Sequence, residues 1–107
     1  MSFADAQREV HDWISGFEEG YFQPLTLVAR IAEEVGELAR EVNHSFGEKP
    51  KKPTEAAGSI AGEIGDSIFV LISLANSLDL DLDAVFAATM EKYRTRDATR
   101  WTPKRGA

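Results

Sequence analysis

Apolar residues recur at intervals of three and four positions along most of this chain, and this period is the strongest constraint on its fold. The row is most regular in one segment, at Val28, Ile31, Val35, Leu38 and Val42. Such a row lies along one side of an α-helix and is typical of a seam between packed helices. The sequence therefore predicts an all-α fold.

Residues that begin and end helices divide the pattern into four segments. Ser2, Thr54 and Asp81 are candidate N-caps, and Pro24 is suited to the first turn of a helix. The predicted helices cover residues 3–17, 24–45, 55–78 and 82–97, followed by a short basic tail over 98–107. A chain of 107 residues is long enough for one domain. We therefore expect a single domain, 1–107, built as a four-helix bundle-like subunit.

The third predicted helix is apolar almost all round over residues 67–75, so we expect it to be the most buried. In the fourth helix the residues expected to point inward are Val85, Phe86, Ala88 and Met90. So small a chain has little surface of its own with which to cover the third helix. We therefore expect a homo-oligomer.

The composition excludes several classes of protein. The chain has no cysteine, which excludes disulfides, thiolate catalysis and zinc–thiolate sites. No window approaches the roughly 18 consecutive apolar residues of a membrane span. The start, MSFADAQREV, lacks the apolar core of a signal peptide. These features favour a cytoplasmic protein without a membrane partner.

The charge balance bears on the kind of partner. The 18 acidic and 12 basic residues give a net charge of -6 at pH 7, which argues against a nucleic-acid partner. Half of the basic residues lie between Lys92 and Arg105. This uneven distribution leaves room for a site where a cation binds carboxylates and a phosphate faces the basic segment.

Two pairs of acidic residues on consecutive helices are the sharpest functional feature. Glu34 and Glu37 lie in EEVGE of the second helix, and Glu63 and Asp66 lie in EIGD of the third. Residues three apart on a helix are about 5 to 6 Å from each other, so each pair presents two carboxylates to one point. At about 100° per residue, Glu34 and Glu37 lie about 100° and 160° behind the seam residue Val35 around their helix. Glu63 and Asp66 lie at the same angles behind Ile64 of the third helix. If the two seams face each other, the pairs occupy matching flanks.

The stripe that carries Glu63 and Asp66 continues as Val70 and Leu74, which are apolar. Carboxylates on a stripe that enters the core need a counter-charge, because burial of an unpaired carboxylate is very costly. Oxygen ligands without cysteine suit a hard cation, Mg²⁺ or Mn²⁺, better than zinc. The alternative is that the acids lie on solvated helix faces with partners such as Arg30. The matching phase of the two pairs favours a metal site.

The segments EEVGELAREVNH and EIGDSIFVLISLANSL resemble the MazG family of nucleoside triphosphate pyrophosphohydrolases, whose pattern is EExxE followed by ExxD on the next helix. The similarity extends to GYFQPLTLVARIAEEVGEL, the GEKPKKPT loop and MEKYRTRDATRW, and it resembles the short, single-domain YpjD-like branch. The resemblance implies an all-α subunit of a dimer or tetramer. It also implies Mg²⁺-dependent hydrolysis of (deoxy)nucleoside triphosphates to monophosphates and pyrophosphate, a reaction that cleanses nucleotide pools.

The resemblance assigns roles to the acidic residues. The metal ligands of the family match Glu34, Glu37, Glu63 and Asp66. Glu33 lies on the side of its helix opposite the seam, outside the expected metal ligands. It completes the EExxE motif and therefore joins Glu34 and Glu37 as a candidate catalytic residue.

The resemblance also assigns residues to the substrate. A lysine and an arginine four residues apart on the last helix of the family lie near the phosphates, and they match Lys92 and Arg96. Tyr93 stands where many members have asparagine, so the base and sugar contacts stay open. Aromatic residues such as Tyr21 and Phe22 more often belong to the core or to a dimer interface. Stacking on a base is the alternative for these two, because they lie in a connection and not on a seam.

Four further polar residues have a structural and a functional interpretation. Asn76 lies in an apolar stretch and needs a hydrogen-bond partner. A bond to another helix is the simpler expectation, and substrate binding is the alternative. Lys49, Lys51 and Lys52 are expected to solvate their loop, with contact to the triphosphate as the alternative.

Two other functions stay open from the residues themselves. Glu41 and His44 form one copy of the Glu-x-x-His element of di-iron bundle proteins, which need two copies. A di-iron redox bundle would contain iron and show an oxo-type absorption band. A non-catalytic helical interaction module would release no pyrophosphate from any nucleotide.

Overall fold

The computed structural model describes residues 1–53 and 58–106, which contain four helices and no strand. The helices are α1 (Phe3–Ser15), α2 (Pro24–Phe46), α3 (Ile60–Ser77) and α4 (Leu82–Arg96). α3 packs against α2 and α1, and α1 also contacts α4. The prediction of an all-α fold is confirmed.

Hydrogen bonds at the start of α1 tie this helix to α4. The Ser2 hydroxyl accepts from the Asp5 N–H, and the Asp5 carboxylate accepts from the Ser2 N–H, both at 3.0 Å. The Asp83 carboxylate of α4 accepts from the backbone N–H groups of Phe3 and Ala4, each at 3.1 Å. These N–H groups have no partner within a helix. Ser2 is therefore the N-cap that the sequence predicted.

The start of α3 differs from the prediction. Ser59 is the N-cap, with an extended backbone (φ -142°, ψ 144°) and a hydroxyl that accepts from the Gly62 N–H at 2.8 Å. Gly58 and Ser59 lie outside the helix, so a continuous helix from residue 55 is wrong. The predicted cap, Thr54, lies outside the described residues. The side chain of Ser59 supplies the acceptor that a helix start requires.

α3 is the central helix. In the described chain it buries more residues than any other helix: Ser67, Val70, Ile72, Ser73 and Ala75. Its length and composition would also allow it to cross a membrane, a property that core helices share. Part of this apolar surface packs against α1 and α2.

Of the four residues predicted to point inward in α4, three are exposed and Met90 is half-buried. Val85 is 42% exposed and Phe86 51% exposed, and Ala88 is exposed as well. The Phe86 ring contacts Phe3 of α1, with 5.4 Å between the ring centres. In the described chain, α1 is the helix against which α4 mainly packs, and this contact is smaller than the contact between α2 and α3. Its apolar residues therefore stay half exposed, because nothing within the chain covers them.

The three valines of the α2 seam are also exposed. Val28, Val35 and Val42 are 50%, 49% and 40% exposed. They lie within about 40° of each other around the helix, since seven residues are nearly two turns. The valine side of α2 is therefore turned away from α3, and the condition that the seams of α2 and α3 face each other is not met.

α2 and α3 run antiparallel, because Glu34 meets Glu63 near the start of α3 whereas Leu27 and Ser73 line a common cavity. Their exposed apolar rows are turned by similar angles from the contact between the helices, so both rows lie on one side of the pair. We call this surface the apolar face; its residues are Val28, Val35, Val42, Phe46, Ile64, Ile68 and Leu71.

The chain is less compact than a typical single domain. The radius of gyration is 17.8 Å, whereas a compact domain of this length has about 13 Å.

Candidate active site

Three glutamates from two helices meet at one point. Glu34 and Glu37 are three residues apart on α2, and Glu63 lies in the first turn of α3. One carboxylate oxygen of each residue lies within 4.8 Å of the other two. We call this group the glutamate cluster. It is the group of acidic side chains in the described chain that could hold a metal ion.

Two oxygens of the glutamate cluster, Glu34 Oε2 and Glu63 Oε2, are buried without a hydrogen-bond partner. A buried carboxylate oxygen that nothing neutralises destabilises the fold. A divalent cation binds such oxygens as ligands and removes this cost. The cluster offers oxygen and neither sulfur nor nitrogen, which suits a hard cation. The residues present therefore fit a metal site.

Two carboxyl groups of the cluster, Glu34 and Glu63, hold their protons more tightly than usual. Burial raises the pKa of Glu34 and of Glu63 above the ordinary value of 4.5. The negative charges of Glu37 and Asp66 raise the pKa of both groups further. The positive charge of Arg30 lowers the pKa of Glu34 and so offsets part of this rise. Without a cation, the site is therefore an assembly of like charges that favours protonation.

The other acidic residues predicted for the site lie outside this group. The side chain of Asp66 is exposed and does not join the three oxygens within 4.8 Å, although its charge affects Glu34 and Glu63. Glu33 is exposed on α2. Three of the four predicted ligands are thus brought together, and the fourth is their neighbour.

The glutamate cluster lies between α2 and α3 and not on their flanks. The Glu34 side chain is only 15% exposed, whereas Val35 and Ile64 are 49% and 45% exposed. The contact between the helices therefore runs through the sides that carry Glu34 and Glu63. These sides are about 100° from the predicted seams, so the matching phase brings the glutamates face to face.

Arg30 borders the cluster. Its Nη2 atom lies 3.9 Å from Glu34 Oε1, one helical turn along α2. Its guanidinium carbon lies 5.8 Å from the centre of the Phe22 ring. The sequence indicates Arg30 only as a partner of a solvated glutamate. Its contact with Phe22 depends on the path of the connection before α2, which spacing along a helix does not reveal.

A cavity of about 290 Å³ opens beside Arg30. We call it the aromatic pocket; its aromatic walls are Trp13, Phe17, Tyr21, Phe22 and Phe69. Glu19 and Ser73 add polar groups to the lining. The two residues predicted to stack on a base, Tyr21 and Phe22, therefore both belong to one pocket, and this pocket adjoins the cluster through Arg30.

A hydrogen-bond network holds the wall of the aromatic pocket. Asn76 Nδ2 donates to the Tyr21 hydroxyl at 3.1 Å and to the Gln7 carbonyl at 2.9 Å. Asn76 Oδ1 accepts from Gln7 Nε2 at 2.9 Å. His11 Nδ1 lies 2.9 Å from the Tyr21 hydroxyl. Asn76 thus makes the bond between elements that was the simpler expectation, and both ends of its amide are engaged within the chain.

Lys92 and Arg96 lie on the exposed last turns of α4. Both contact the ring of Tyr93, with the Lys92 ammonium and the Arg96 guanidinium carbon each 5.3 Å from its centre. Arg96 Nε also lies 3.2 Å from Asp97 Oδ1. The described ion pairs do not join either residue to the glutamate cluster. Within the described chain, Lys92 and Arg96 therefore form no ion pair with the predicted metal ligands.

Glu41 lies one helical turn beyond the cluster, and it is buried although the sequence gives no sign of this. Glu41 is 6% exposed, and its Oε1 atom lies 3.6 Å from Lys51 Nζ. A Cβ atom at Gly58 would lie 2.5 Å from the same oxygen, so a larger residue there would displace the Glu41 carboxylate. His44 Nδ1 lies 3.1 Å from the Lys49 carbonyl. The group that could hold a metal contains neither Glu41 nor His44 among the described residues.

Comparison with known proteins decides the class of the enzyme. The profile of the MazG nucleotide pyrophosphohydrolase domain matches residues 22–101. The chain belongs to the MazG family. The matched range contains the glutamate cluster, Arg30, Lys92 and Arg96. As a MazG-family member, the chain is a hydrolase of the nucleotide pyrophosphohydrolase class.

Individual MazG-related proteins agree with this assignment. The protein YpjD of Bacillus subtilis (strain 168) is 57% identical over 100 residues, which are 94% of this chain and 90% of YpjD. The crystal structure of YpjD from Bacillus subtilis has a TM-score of 0.79 at 54% identity, over 89% of this chain and 97% of that one. The Bacillus-conserved MazG protein, a nucleotide pyrophosphohydrolase, has a TM-score of 0.77 at 47% identity, over 90% and 93%. The resemblance to MazG and to its YpjD-like branch is confirmed.

Proposed function

We propose that this enzyme is a Mg²⁺-dependent pyrophosphohydrolase that converts (deoxy)nucleoside triphosphates to monophosphates and pyrophosphate. The observation that carries the proposal is the glutamate cluster, with two buried oxygens that have no hydrogen-bond partner. Mn²⁺ suits the same ligands. The reaction would serve to remove unwanted nucleotides from the nucleotide pool.

The acidic residues would have two roles, metal binding and proton acceptance. Glu34, Glu37, Glu63 and Asp66 would hold the metal, which when bound neutralises the triphosphate and makes water a better nucleophile. A carboxylate with an oxygen not taken up by the metal would accept the proton of the attacking water, and Glu33, Glu34 and Glu37 are the candidates. The water oxygen bonds to the α-phosphorus while the bond to the bridging oxygen breaks, and pyrophosphate leaves with that electron pair.

Two groups of residues would bind the substrate. The aromatic pocket, with Tyr21 and Phe22, takes the base by stacking on a ring face. Lys92 and Arg96 stabilise the charge on the phosphoryl oxygens. Asn76 supports the pocket through Tyr21, which would make its contribution to substrate binding indirect.

We propose further that the active form is a dimer or tetramer in which Lys92 and Arg96 reach the glutamate cluster of another subunit. The apolar face and the half-exposed α4 support this, because both leave apolar surface that a second copy would cover. The solvent-accessible surface is 8343 Å², whereas a compact monomer of 11.8 kDa has about 5,900 Å². The excess is of the size that stable subunit interfaces bury.

We also propose that the enzyme acts on free nucleotides in the cytoplasm, without a nucleic-acid or membrane partner. The net charge of -6 and the absence of cysteine support this setting. The apolar helix α3 carries Glu63 of the glutamate cluster, a residue that a membrane interior disfavours.

The test is a panel of canonical and damaged nucleoside triphosphates, scored separately for pyrophosphate and phosphate. We expect pyrophosphate and a monophosphate, full dependence on Mg²⁺, and loss of activity on chelation. Glu18→Gln, at an exposed glutamate of the connection before α2, is the control for a change of charge alone. Release of phosphate instead of pyrophosphate, or turnover that survives chelation, would contradict the proposal.

A further inference from the structure

Arg30 stands at the boundary between the glutamate cluster and the aromatic pocket, and the roles assigned above do not use it. Its Nη2 atom is 3.9 Å from Glu34 Oε1, and its guanidinium carbon is 5.8 Å from the centre of the Phe22 ring. The same side chain lines the pocket. Among the described residues, Arg30 is the cation whose ion pair reaches the cluster.

The contacts of Arg30 leave its hydrogen-bonding capacity available. A guanidinium has five N–H donors, and a separation of 3.9 Å is too long for a hydrogen bond. An arginine that stacks on an aromatic ring keeps the donors in its plane free for a ligand. The side chain is 37% exposed, so a ligand in the aromatic pocket can reach it. Arg30 therefore contacts Phe22 and Glu34, and its N–H donors remain available to a ligand.

We infer that Arg30 binds the α-phosphate of a nucleotide whose base lies in the aromatic pocket; this inference rests on the proposed function. The Arg30 guanidinium is 3.9 Å from the Glu34 carboxylate, so it can reach a phosphate that is bound beside Glu34. The planar guanidinium matches two oxygens of one phosphate. The α-phosphate is the one joined to the nucleoside, so it lies nearest to the pocket.

The alternative role for Arg30 is to read the edge of the base. The ion pair with Glu34 holds the guanidinium on the side of the cluster, which favours the phosphate. The two roles differ in one measurable respect. A phosphate ligand affects every nucleotide equally, whereas a residue that reads the base changes the ranking of the bases.

The inference has a consequence for the product. The base and the α-phosphate both remain in the nucleoside monophosphate, so Arg30 and the aromatic pocket together form a binding site for the product. Pyrophosphate contains neither group and does not use this site. We therefore expect product inhibition by the monophosphate that competes with the substrate and depends on Arg30.

The experiment measures binding of the four ribonucleoside 5′-monophosphates by calorimetry, in the presence of Mg²⁺. The variants are Arg30→Gln, Arg30→Lys and, as a matched control, Arg40→Gln at an exposed arginine of the same helix. We expect Arg30→Gln to weaken each monophosphate by the same factor, about ten- to hundredfold. Arg30→Lys keeps the charge without the planar fork and should lie in between. Arg40→Gln should bind as the wild type does.

Unchanged binding in Arg30→Gln, a loss confined to one base, or no binding of any monophosphate by the wild type would overturn the inference. The assay needs no turnover, so it gives an answer even if pyrophosphate release fails. Normal pyrophosphate release with binding independent of Arg30 would overturn this inference and leave the proposed function intact. If Arg30→Gln does not fold, Arg30→Lys decides through the same comparison across the four bases.

Discussion

Asn76 of α3 donates a hydrogen bond from Nδ2 to the Tyr21 hydroxyl at 3.1 Å. This bond joins the central helix to the connection that forms one wall of the aromatic pocket. His11 Nδ1 lies 2.9 Å from the same hydroxyl, so Tyr21 is held from two sides. The shape of the pocket therefore depends on a residue that need not touch the substrate.

Asn76→Ala should destabilise the fold by about 1–3 kcal/mol, because Gln7 and Tyr21 lose a partner in a partly buried network. KM should rise more than kcat falls, since the pocket wall loosens. Denaturant unfolding and steady-state kinetics measure the two effects, with Asn43→Ala at an exposed position of α2 as control. Unchanged stability together with a large rise in KM would point instead to direct contact with the substrate.

Glu34→Gln and Glu63→Gln should each lower pyrophosphate release by about a hundredfold or more, because each removes a charged ligand of the metal. The metal-free fold should become more stable in both variants, since a buried charge among like charges is removed. Thermal unfolding with a chelator and with Mg²⁺ measures this, and Glu18→Gln should behave as the wild type. Activity close to wild type in either variant would refute the metal site.

The metal-free protein should lose stability as the pH rises. Burial raises the pKa of Glu34 and Glu63 above 4.5, so the folded state binds these protons more tightly than the unfolded state. The free energy of unfolding therefore falls from about pH 4.5 upward until both groups are ionised. Thermal unfolding across this range should show the fall in chelator and not in Mg²⁺. A Glu34→Gln, Glu63→Gln double variant that follows the wild type in chelator would show that other groups are responsible.

Charges placed on the apolar face should break the oligomer. Val42→Asp and Leu71→Asp each put a carboxylate into a row that a second copy would bury. Sedimentation should show a monomer for both variants, with activity lost at the same time. Leu25→Asp, at an exposed position turned about 80° from the valine row, should stay associated. A wild type that sediments as a monomer would remove the basis for this prediction.

Subunits with complementary defects should restore activity. Glu63→Gln lacks a metal ligand, whereas a Lys92→Ala, Arg96→Ala variant lacks the phosphate ligands. If these groups meet across subunits, random mixing in a dimer rebuilds about a quarter of the sites. Pyrophosphate release is measured after the two inactive proteins are mixed and allowed to exchange. No recovery after demonstrated exchange would place both groups in the same subunit.

Local geometry explains which parts of the structure the sequence could predict. The number of helices follows from the apolar period, and the glutamate cluster follows from acids three residues apart on two helices. The start of α3 differs from the prediction because the Ser59 hydroxyl accepts from the Gly62 N–H, and residue type alone does not reveal this contact. A periodic row also indicates that a helix packs but does not reveal its partner, so the sequence could not show which surface the valines of α2 contact.

Contacts between distant segments explain what the sequence could not predict. Phe22 and Arg30 meet because of the path of one connection, which no helical spacing contains. The burial of Glu41 depends on Lys51 and on the missing side chain of Gly58, both outside the helix. Glu41 and Arg30 therefore resembled surface charges in the sequence, although both lie within one or two turns of the cluster.

The scarcity of buried apolar side chains in the described chain gives protein concentration a thermodynamic role. Leu27, Val70, Ile72 and Ala75 alone form too small a core to outweigh the entropy of ordering a chain of this length. In the proposed oligomer, association therefore supplies part of the free energy of folding, and this part grows with the logarithm of the subunit concentration. Dilution would then act on this enzyme as a denaturant does, lowering the melting temperature and disassembling the active sites together.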